Sequence, residues 1–148
     1  MSNHGRVIGL RHVGYFVEDM DVSLDMFKRL FDVGDDDIRL MTAEETGGTG
    51  VFGFVSIGGV ELELIQLISD DIKKITGDTS PGINHVAFQV ENIEAVVTAM
   101  EKKGFRLGYI TKNGIFDTGK TKVAYLEPLD TDGHLIELVE VKAEGADA

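Results

Sequence analysis

Two histidine–glutamate pairs recur along the chain at nearly the same spacing. His12 precedes Glu63 by 51 residues, and His85 precedes Glu137 by 52 residues. Imidazole nitrogens and carboxylate oxygens together suit divalent ions such as Zn, Ni, Co, Mn and Fe. Four protein ligands leave one or two open positions on a five- or six-coordinate ion, where water or a substrate oxygen can bind. The spacing therefore predicts a four-ligand metal site of the kind found in enzymes.

The segments around the two pairs also repeat. "RHVGYFVEDM" (Arg11–Met20) aligns with "NHVAFQVENI" (Asn84–Ile93), with His, Val, Val and Glu identical in register. "GGVELELI" (Gly58–Ile65) aligns with "DGHLIELV" (Asp132–Val139) in the same way. A single His in a strand is more often a hydrogen-bonded core residue, but four matched positions favour a duplicated ligand set.

Each candidate ligand lies in the middle of an apolar stretch that alternates like a β-strand. His12 shares a strand face with Leu10 and Phe16, and Glu137 shares one with Leu135 and Val139. A carboxylate among apolar neighbours is costly unless its charge is compensated. Two carboxylates in one cavity would repel each other unless a cation lies between them, which again predicts a metal ion.

The first half of the chain predicts a βαβββ module. Its elements are strands at Ile8–Val17, Ile38–Thr42, Val51–Ile57 and Val60–Leu67, and a helix at Met20–Phe31 capped by Asp19 or Asp21. Gly58-Gly59 is a hairpin turn signal between the last two strands. Ser69–Gly82 is predicted to be a linker, because "GDTSPG" is rich in turn residues.

The second half repeats this order. Its elements are strands at Ile83–Val90, Phe105–Ile110, Lys122–Leu126 and His134–Val141, and a helix that follows the N-cap Asn92. Thr111–Thr121 is predicted to be a long loop that could form a lid, with Lys112, Lys120 and Lys122 in or beside it. The predicted fold class is therefore α+β, with two βαβββ modules forming a cupped mixed sheet around a metal site. One domain is expected over residues 1–148, with module 1 at about 8–68, a linker at 69–82, module 2 at about 83–141 and a frayed tail at 142–148.

Composition limits the classes of function. The 148 residues include no Cys, which excludes disulfides, thiolate ligands and a Cys nucleophile. The net charge of −12 disfavours nucleic acid as a partner, and an anionic substrate would need a local basic patch. The sequence has no apolar run of about 18 residues and no apparent signal peptide. We therefore expect a cytoplasmic protein that acts on a small molecule away from membranes.

Taken together, these segments resemble the vicinal oxygen chelate superfamily, which includes glyoxalase I, bleomycin-resistance proteins and extradiol dioxygenases. The resemblance covers about residues 8–141 and rests on "RHVGYFVEDMDVSLDMFKRLF", "VELELI", "GINHVAFQVENIEAVVTAMEKKG" and "GHLIELVE". It implies paired βαβββ modules and places the four metal ligands of the superfamily at His12, Glu63, His85 and Glu137. A homodimer is expected by the same analogy.

Within the superfamily, the methylmalonyl-CoA epimerase group is the most similar, through "NGIFDTGKTKVAYLEP" (Asn113–Pro128) and "LIELVE" (Leu135–Glu140). This resemblance implies removal of a proton α to a carbonyl through a metal-stabilised enolate, with Glu137 as the main proton-transfer group and Glu63 sharing the role. The implied cofactor is a divalent ion (Co, Ni, Zn or Mn, with Fe less favoured), and the implied substrate is an acyl-CoA or another carbonyl compound. Epimerases of this group carry a second Glu base, and our alignment places Gly53 at that position, with Glu44 or Glu45 as possible substitutes.

Other functions within the superfamily remain open at this point. A glyoxalase I-like lyase acting on a glutathione adduct would use the same ligands and related chemistry. An Fe(II) ring-cleaving dioxygenase needs two His and one carboxylate, so a fourth ligand at Glu63 argues against it. A non-catalytic drug-binding protein typically lacks the complete ligand set, so the intact four disfavour that interpretation as well.

Overall fold

The computed structural model describes residues 4–143, which fall into two compact units. The N-terminal unit is His12–Asn84, and the C-terminal unit is His85–Ala148 together with Met1–Arg11. Of the predicted tail at 142–148, residues 144–148 lie outside the described part. The expectation of a single domain remains a prediction.

The N-terminal unit contains one βαβββ module and a further short helix. Its elements are β1 (Arg6–Phe16, which begins in the other unit), α1 (Met20–Phe31), β2 (Ile38–Met41), β3 (Gly50–Ile57), β4 (Val60–Leu67) and α2 (Asp70–Thr76). The strands lie in the order β2-β3-β4-β1, with β1 parallel to β4 and the other neighbours antiparallel. The turn between β3 and β4 uses Gly58 and Gly59 at φ 55° and 86°, which suits glycine.

Helix α1 forms where its apolar spacing predicts and covers one face of this sheet. Its buried residues Met20, Leu24 and Phe27 pack in one cluster with Val55 and Leu64 of the strands. The helix begins with two side-chain acceptors. The Asp19 carboxylate accepts a hydrogen bond from Val22 N at 3.2 Å, and Gln66 Oε1 of β4 accepts one from Met20 N at 2.8 Å. Strand β4, which carries Glu63, is therefore tied to the helix by its own side chain.

The C-terminal unit contains the second βαβββ module. Its elements are β5 (Gly82–Glu91, which begins in the other unit), α3 (Ile93–Lys102), β6 (Phe116–Asp117), β7 (Thr121–Tyr125) and β8 (Ile136–Val141). The strands lie in the order β5-β8-β7-β6, with β5 parallel to β8 and β7 antiparallel to it. The start of β1 belongs to this unit, where Arg6 pairs with Glu91 at 2.9 Å.

Helix α3 repeats the arrangement of α1. Ile93, Val96 and Val97 are buried in one cluster with Ala124 and Leu138. Asn92 caps the helix by accepting a hydrogen bond from Ala95 N at 3.4 Å, and Glu140 Oε1 of β8 accepts one from Ile93 N at 2.9 Å. The fold class is therefore confirmed as α+β with two βαβββ modules.

Two predicted boundaries were wrong. Phe105–Ile110 is not a strand: Leu107 forms only an isolated bridge with Leu126, and the short strand of this module lies instead at Phe116–Asp117, inside the predicted loop. Extension stops because Tyr109 adopts φ 53° and begins a 3-10 turn over Tyr109–Thr111. Gly108 also lies so close to the next strand connection that a Cβ there would be 2.5 Å from Glu127 Oε2.

The predicted linker contains helix α2. Ser69 caps it by accepting a hydrogen bond from Ile72 N at 3.4 Å, Asp70 and Asp71 lie in its first turn, and Lys73 and Lys74 lie in its last turn. This order of charges favours a helix because it complements the helix dipole. No helix among residues 4–143 is long and apolar enough to cross a membrane.

Candidate metal centre

His12 and Glu63 meet on one face of the N-terminal sheet. Parallel pairing of β1 with β4 places His12 opposite Glu61 and Gly14 opposite Glu63, so the two ligand candidates are diagonal neighbours. His12 Nε2 lies 3.7 Å from Glu63 Oε1, and their side chains are only 9% and 14% exposed. The sequence prediction that these two residues lie together is consistent with this contact.

His85 and Glu137 form the equivalent pair in the C-terminal unit. Pairing of β5 with β8 places Ala87 opposite Glu137, so His85 is again one diagonal step away. His85 Nε2 lies 3.3 Å from Glu137 Oε1, and the side chains are 2% and 8% exposed. Glu137 Oε1 is shielded from solvent. A buried carboxylate beside an imidazole needs a positive charge nearby, which a cation or a protonated histidine can supply.

The donor set fits a divalent metal ion. Two adjacent ligands that are each about 2.1 Å from one ion lie about 3 Å apart, close to the separation seen in both pairs. In the C-terminal unit, His85 and Glu137 are buried residues that could hold such an ion, and in the N-terminal unit the buried His12 offers the same type of donor. Nitrogen and carboxylate donors without thiolate are compatible with Co, Ni, Zn or Mn and do not select one of them.

Aromatic rings surround the His85–Glu137 pair. Tyr125 lies opposite Glu137 on β7, and its ring meets the His85 ring edge-on at 5.6 Å. The Tyr109 ring packs against Tyr125 at 5.1 Å. These contacts limit how far the His85 ring can turn.

Thr111 fastens the loop that carries Tyr109. This residue is 4% exposed, and its hydroxyl accepts a hydrogen bond from Tyr125 N at 2.8 Å and lies 3.0 Å from Gly108 O as a donor. A positive φ is unusual for a bulky residue and persists only where the surroundings enforce it. The buried threonine is therefore part of what keeps Tyr109 beside Tyr125.

The His12–Glu63 pair has one aromatic ring and a cation nearby, Phe54 and Arg39, where the other pair has two tyrosine rings. Phe54 lies opposite Glu63 on β3, and Arg39 lies opposite Phe54 on β2. The Arg39 guanidinium carbon is 4.0 Å from the Phe54 ring centroid, and Nη2 is 3.8 Å from Glu61 Oε2. Sequence reasoning missed Arg39. The available signal was that it is the only Lys or Arg on a strand between residues 12 and 84.

Gly53 does not occupy the position of a second base. It lies opposite Leu64, and a Cβ on it would be 2.8 Å from Met20 Sδ and 3.5 Å from Leu24 Cδ2. Gly53 therefore faces α1, on the side of the sheet opposite Glu63. A glutamate there would enter the hydrophobic core of the module, so the alignment that made Gly53 the missing base was wrong.

The charged residues predicted in or beside loops lie in different surroundings. Glu44 and Glu45 are both exposed, and Glu45 Oε1 accepts hydrogen bonds from Thr42 N at 3.3 Å and Thr42 Oγ1 at 3.2 Å. Lys122 lies opposite Glu140 and donates to Glu94 Oε1 of α3 at 2.7 Å. Lys122 therefore lies on the helix side of its strand and is not part of a lid.

Comparison with known proteins gives the family. A model of the Glyoxalase/Bleomycin resistance protein/Dioxygenase superfamily matches residues 11–125. The chain therefore belongs to this superfamily, as the sequence resemblance indicated.

Several of the similar proteins are methylmalonyl-CoA epimerases. Methylmalonyl-CoA epimerase, mitochondrial, from Mus musculus is 31% identical over 134 residues, which cover 87% of this chain and 71% of the relative. The crystal structure of methylmalonyl-CoA epimerase from Mycobacterium tuberculosis superimposes with a TM-score of 0.74 at 24% identity, covering 100% of this chain and 97% of that one. A Streptomyces coelicolor methylmalonyl-CoA epimerase in complex with 2-nitronate-propionyl-CoA gives 0.75 at 20% identity, covering 93% and 100%. The structures support the fold, and the curated relative supports an epimerase-like function.

Proposed function

We propose that this protein is a divalent-metal-dependent epimerase that acts on an acyl-CoA thioester, as methylmalonyl-CoA epimerase does. The observation that carries the proposal is the duplicated His–Glu pair, largely shielded from solvent, at 3.7 Å and 3.3 Å, in a chain 31% identical to such an enzyme. The acyl-CoA substrate is suggested by relatives described in complex with 2-nitronate-propionyl-CoA and with methylmalonyl-CoA.

His12, Glu63, His85 and Glu137 are proposed as ligands of a divalent ion. A bound divalent ion would supply positive charge next to the substrate carbonyl oxygen and lower the cost of the negative charge that develops there. The same charge would compensate the carboxylates of the buried Glu137 and the half-buried Glu63, whose removal from water is otherwise unfavourable.

Glu137 is proposed as the main proton-transfer group. Its Oε1 atom is shielded from solvent, which keeps bulk water from competing for the proton of the carbon next to the thioester during its transfer. Epimerisation needs a proton to leave one face of that carbon and return to the other. Glu63, the carboxylate at the repeated position, is proposed to share this role.

Two further features are proposals by analogy. A homodimer is expected from the superfamily, and its test is the mass in solution. The cytoplasm remains the compartment predicted from the sequence, although the Mus musculus relative is named as mitochondrial. Localisation of a tagged full-length chain would decide between these compartments.

Metal reconstitution tests the proposal. The purified protein should contain a divalent ion, lose epimerase activity on chelation and recover it with Co, Ni, Zn or Mn. His12→Ala should lose most of the metal, whereas His134→Ala, which changes an exposed histidine, should retain it. Activity on a glutathione hemithioacetal, but not on methylmalonyl-CoA, would replace the epimerase with a glyoxalase I-like lyase. Oxygen uptake with ferrous iron would instead indicate a dioxygenase.

A further inference from the structure

Arg39 lies on the same face of the N-terminal sheet as the ligand candidate Glu63. The register of β2, β3 and β4 places Arg39 beside Phe54 and Phe54 beside Glu63, in one row across the strands. Directly paired residues of neighbouring strands project to the same face of a sheet. The Arg39 side chain therefore emerges on the side where the proposed chemistry takes place.

The guanidinium leans from its own strand across Phe54 of β3 toward β4. Its carbon lies 4.0 Å from the Phe54 ring centroid, on β3, and Nη2 lies 3.8 Å from Glu61 Oε2, on β4. Adjacent strands are about 4.8 Å apart, so the α-carbons of Arg39 and Glu63 are separated by roughly 10 Å. Because the guanidinium is bent over the intervening strand, it lies closer to Glu63 than the Arg39 α-carbon does. A small thioester substrate is long enough to span this separation.

The positive charge of Arg39 is exceptional among the strands of the N-terminal unit. Between residues 12 and 84, all of which the structure describes, Arg39 is the only Lys or Arg on a strand, while Glu61 and Glu63 are the carboxylates beside it. The whole chain carries a net charge of −12, so an anionic ligand needs a local cation to approach this face. The contact with Glu61 at 3.8 Å is too long for a hydrogen bond, and the Arg39 side chain remains 59% exposed.

We propose that Arg39 binds an anionic group of the substrate that lies away from the reacting carbon. A guanidinium matches carboxylate and phosphate oxygens with two parallel hydrogen bonds, and the Phe54 ring holds it in place from one side. This inference rests on the proposed acyl-CoA substrate, which offers both chemistries: a carboxylate on the acyl group and phosphates on the nucleotide. Arg39 would then determine which thioesters bind, without taking part in proton transfer.

The test compares Arg39→Gln and Arg39→Lys with Lys28→Gln. Lys28 is a matched control because it is a cation of the same unit that lies on α1 and pairs with Asp35 at 2.6 Å. Loss of charge-assisted hydrogen bonds predicts a KM for methylmalonyl-CoA that is about 10- to 100-fold higher in Arg39→Gln, with kcat changed by only a few-fold. Arg39→Lys should lie between wild type and Arg39→Gln, and Lys28→Gln should match wild type.

A second substrate distinguishes the two anions. The methylmalonyl thioester of pantetheine retains the acyl carboxylate and lacks the nucleotide phosphates. If Arg39 binds the carboxylate, Arg39→Gln should raise KM for both thioesters. If it binds phosphate, the substitution should affect only the CoA thioester. Equal KM values for Arg39→Gln and Lys28→Gln with both substrates would overturn the inference.

Binding of two probes separates this inference from the proposed function. Malonate and free CoA are titrated into the metal-loaded wild type and variants, and binding is followed by calorimetry. Weaker binding of either probe to Arg39→Gln than to Lys28→Gln supports the anion site even if the protein epimerises no thioester, in which case only the proposed function fails. Absence of binding to wild type, or equal binding to both variants, overturns the role of Arg39.

Discussion

The two modules carry equivalent ligand pairs in different surroundings. Around His85 and Glu137, the rings of Tyr125 and Tyr109 close the space, and the two ligand side chains are 2% and 8% exposed. Around His12 and Glu63, the corresponding row contains Phe54 and the cation Arg39, and the pair is more open at 9% and 14%. The two repeats thus share the candidate ligands while the neighbours of each pair differ. Under the proposed function, Glu137 would handle the proton and Arg39 would receive the charged end of the substrate.

The modules also preserve how the helix is attached to the ligand strand. Three residues after each glutamate, a side chain accepts a hydrogen bond from the first N–H of the helix: Gln66 from Met20 in one module and Glu140 from Ile93 in the other. Glu140 is half-buried at this junction. Since the same strands carry Glu63 and Glu137, this bond fixes the strand that positions each ligand.

The largest expected effect is on kcat, and it should differ between Glu137 and Glu63. Glu137→Gln should reduce kcat by about 10²- to 10⁴-fold, the usual contribution of a proton-transfer group. Glu63→Gln should cause a smaller loss, because its amide oxygen can still contact an ion and its position is more exposed. Metal analysis and steady-state kinetics of both variants measure the difference. Full activity and metal content in both would show that neither residue belongs to the site.

Core packing should be equally important in the two modules. Leu64 and Leu138 follow the two ligand glutamates directly and are 0% and 1% exposed. Replacement of either by Ala should lower the free energy of unfolding by about 2.7–5 kcal/mol, because it leaves a cavity beneath the ligand strand. Urea unfolding monitored by circular dichroism provides the measurement. A loss below 1 kcal/mol at one position would show that its module is loosely packed.

The Thr111 hydroxyl, which holds the Tyr109 loop in place, should contribute more to stability than the hydroxyl of Thr46. Thr111→Val leaves the buried Tyr125 N–H without its acceptor and should cost about 1–3 kcal/mol in the free energy of unfolding. Thr46→Val removes a similar bond, from Gly50 N at 3.2 Å, at a half-buried position. It should cost less, because water can replace the hydroxyl there. Equal losses in chemical unfolding would contradict the special role assigned to the Tyr109 loop.

Glu140 and Gln66, which accept a hydrogen bond from the first N–H of α3 and α1, can each be replaced by the residue type that the other module uses. Glu140→Gln removes a negative charge from the N-terminus of α3 and should destabilise the protein by about 0.3–1 kcal/mol. Gln66→Glu places such a charge at the N-terminus of α1 and should have the opposite sign. Thermal melts at low salt compare the two variants. A change of the same sign in both would mean that the helix dipole is not the controlling factor.

The smallest effect concerns acid stability. Hydrogen bonding with Arg106 holds the pKa of Asp130 below its ordinary value, and Lys28 does the same for Asp35. A depressed pKa in the folded state stabilises the fold above the ordinary pKa, and this contribution is lost as the pH falls through the lowered value. Asp130 accepts three bonds from Arg106, whereas the Lys28–Asp35 pair is exposed. Asp130→Asn should therefore flatten the acid limb of a stability profile more than Asp35→Asn, and the reverse order would contradict this assignment.

Much of the fold could be predicted because its signals are local and duplicated. Helix α1 and strand β4 have the predicted bounds, since apolar spacing, an N-cap and a Gly-Gly turn all agree there. The segment Phe105–Ile110 could not be predicted correctly, because its geometry depends on Thr111 and on the tight contact of Gly108 with Glu127. Helix α2 had a readable cap and charge order that the neighbouring turn residues obscured.

The proximity of each candidate histidine to its glutamate was predictable from the sequence, and the surroundings of each pair were less so. The histidine and glutamate positions follow from the repeat, which needs no coordinates. The relation of Arg39 to Glu63 became evident from the strand register, because it spans two strands. Gly53 was misjudged because alignment alone does not tell which face of a strand a residue occupies.

The most direct test of the proposed function is hydrogen exchange at the substrate α-carbon. Methylmalonyl-CoA is incubated in D2O with the metal-loaded protein, and loss of the α-proton signal is followed by NMR. We expect enzyme-dependent incorporation of deuterium together with epimerisation, abolished by chelation and reduced in Glu137→Gln. Incorporation no faster than in buffer with the metal-loaded wild type would contradict the proposal that these paired histidines and glutamates serve α-proton transfer.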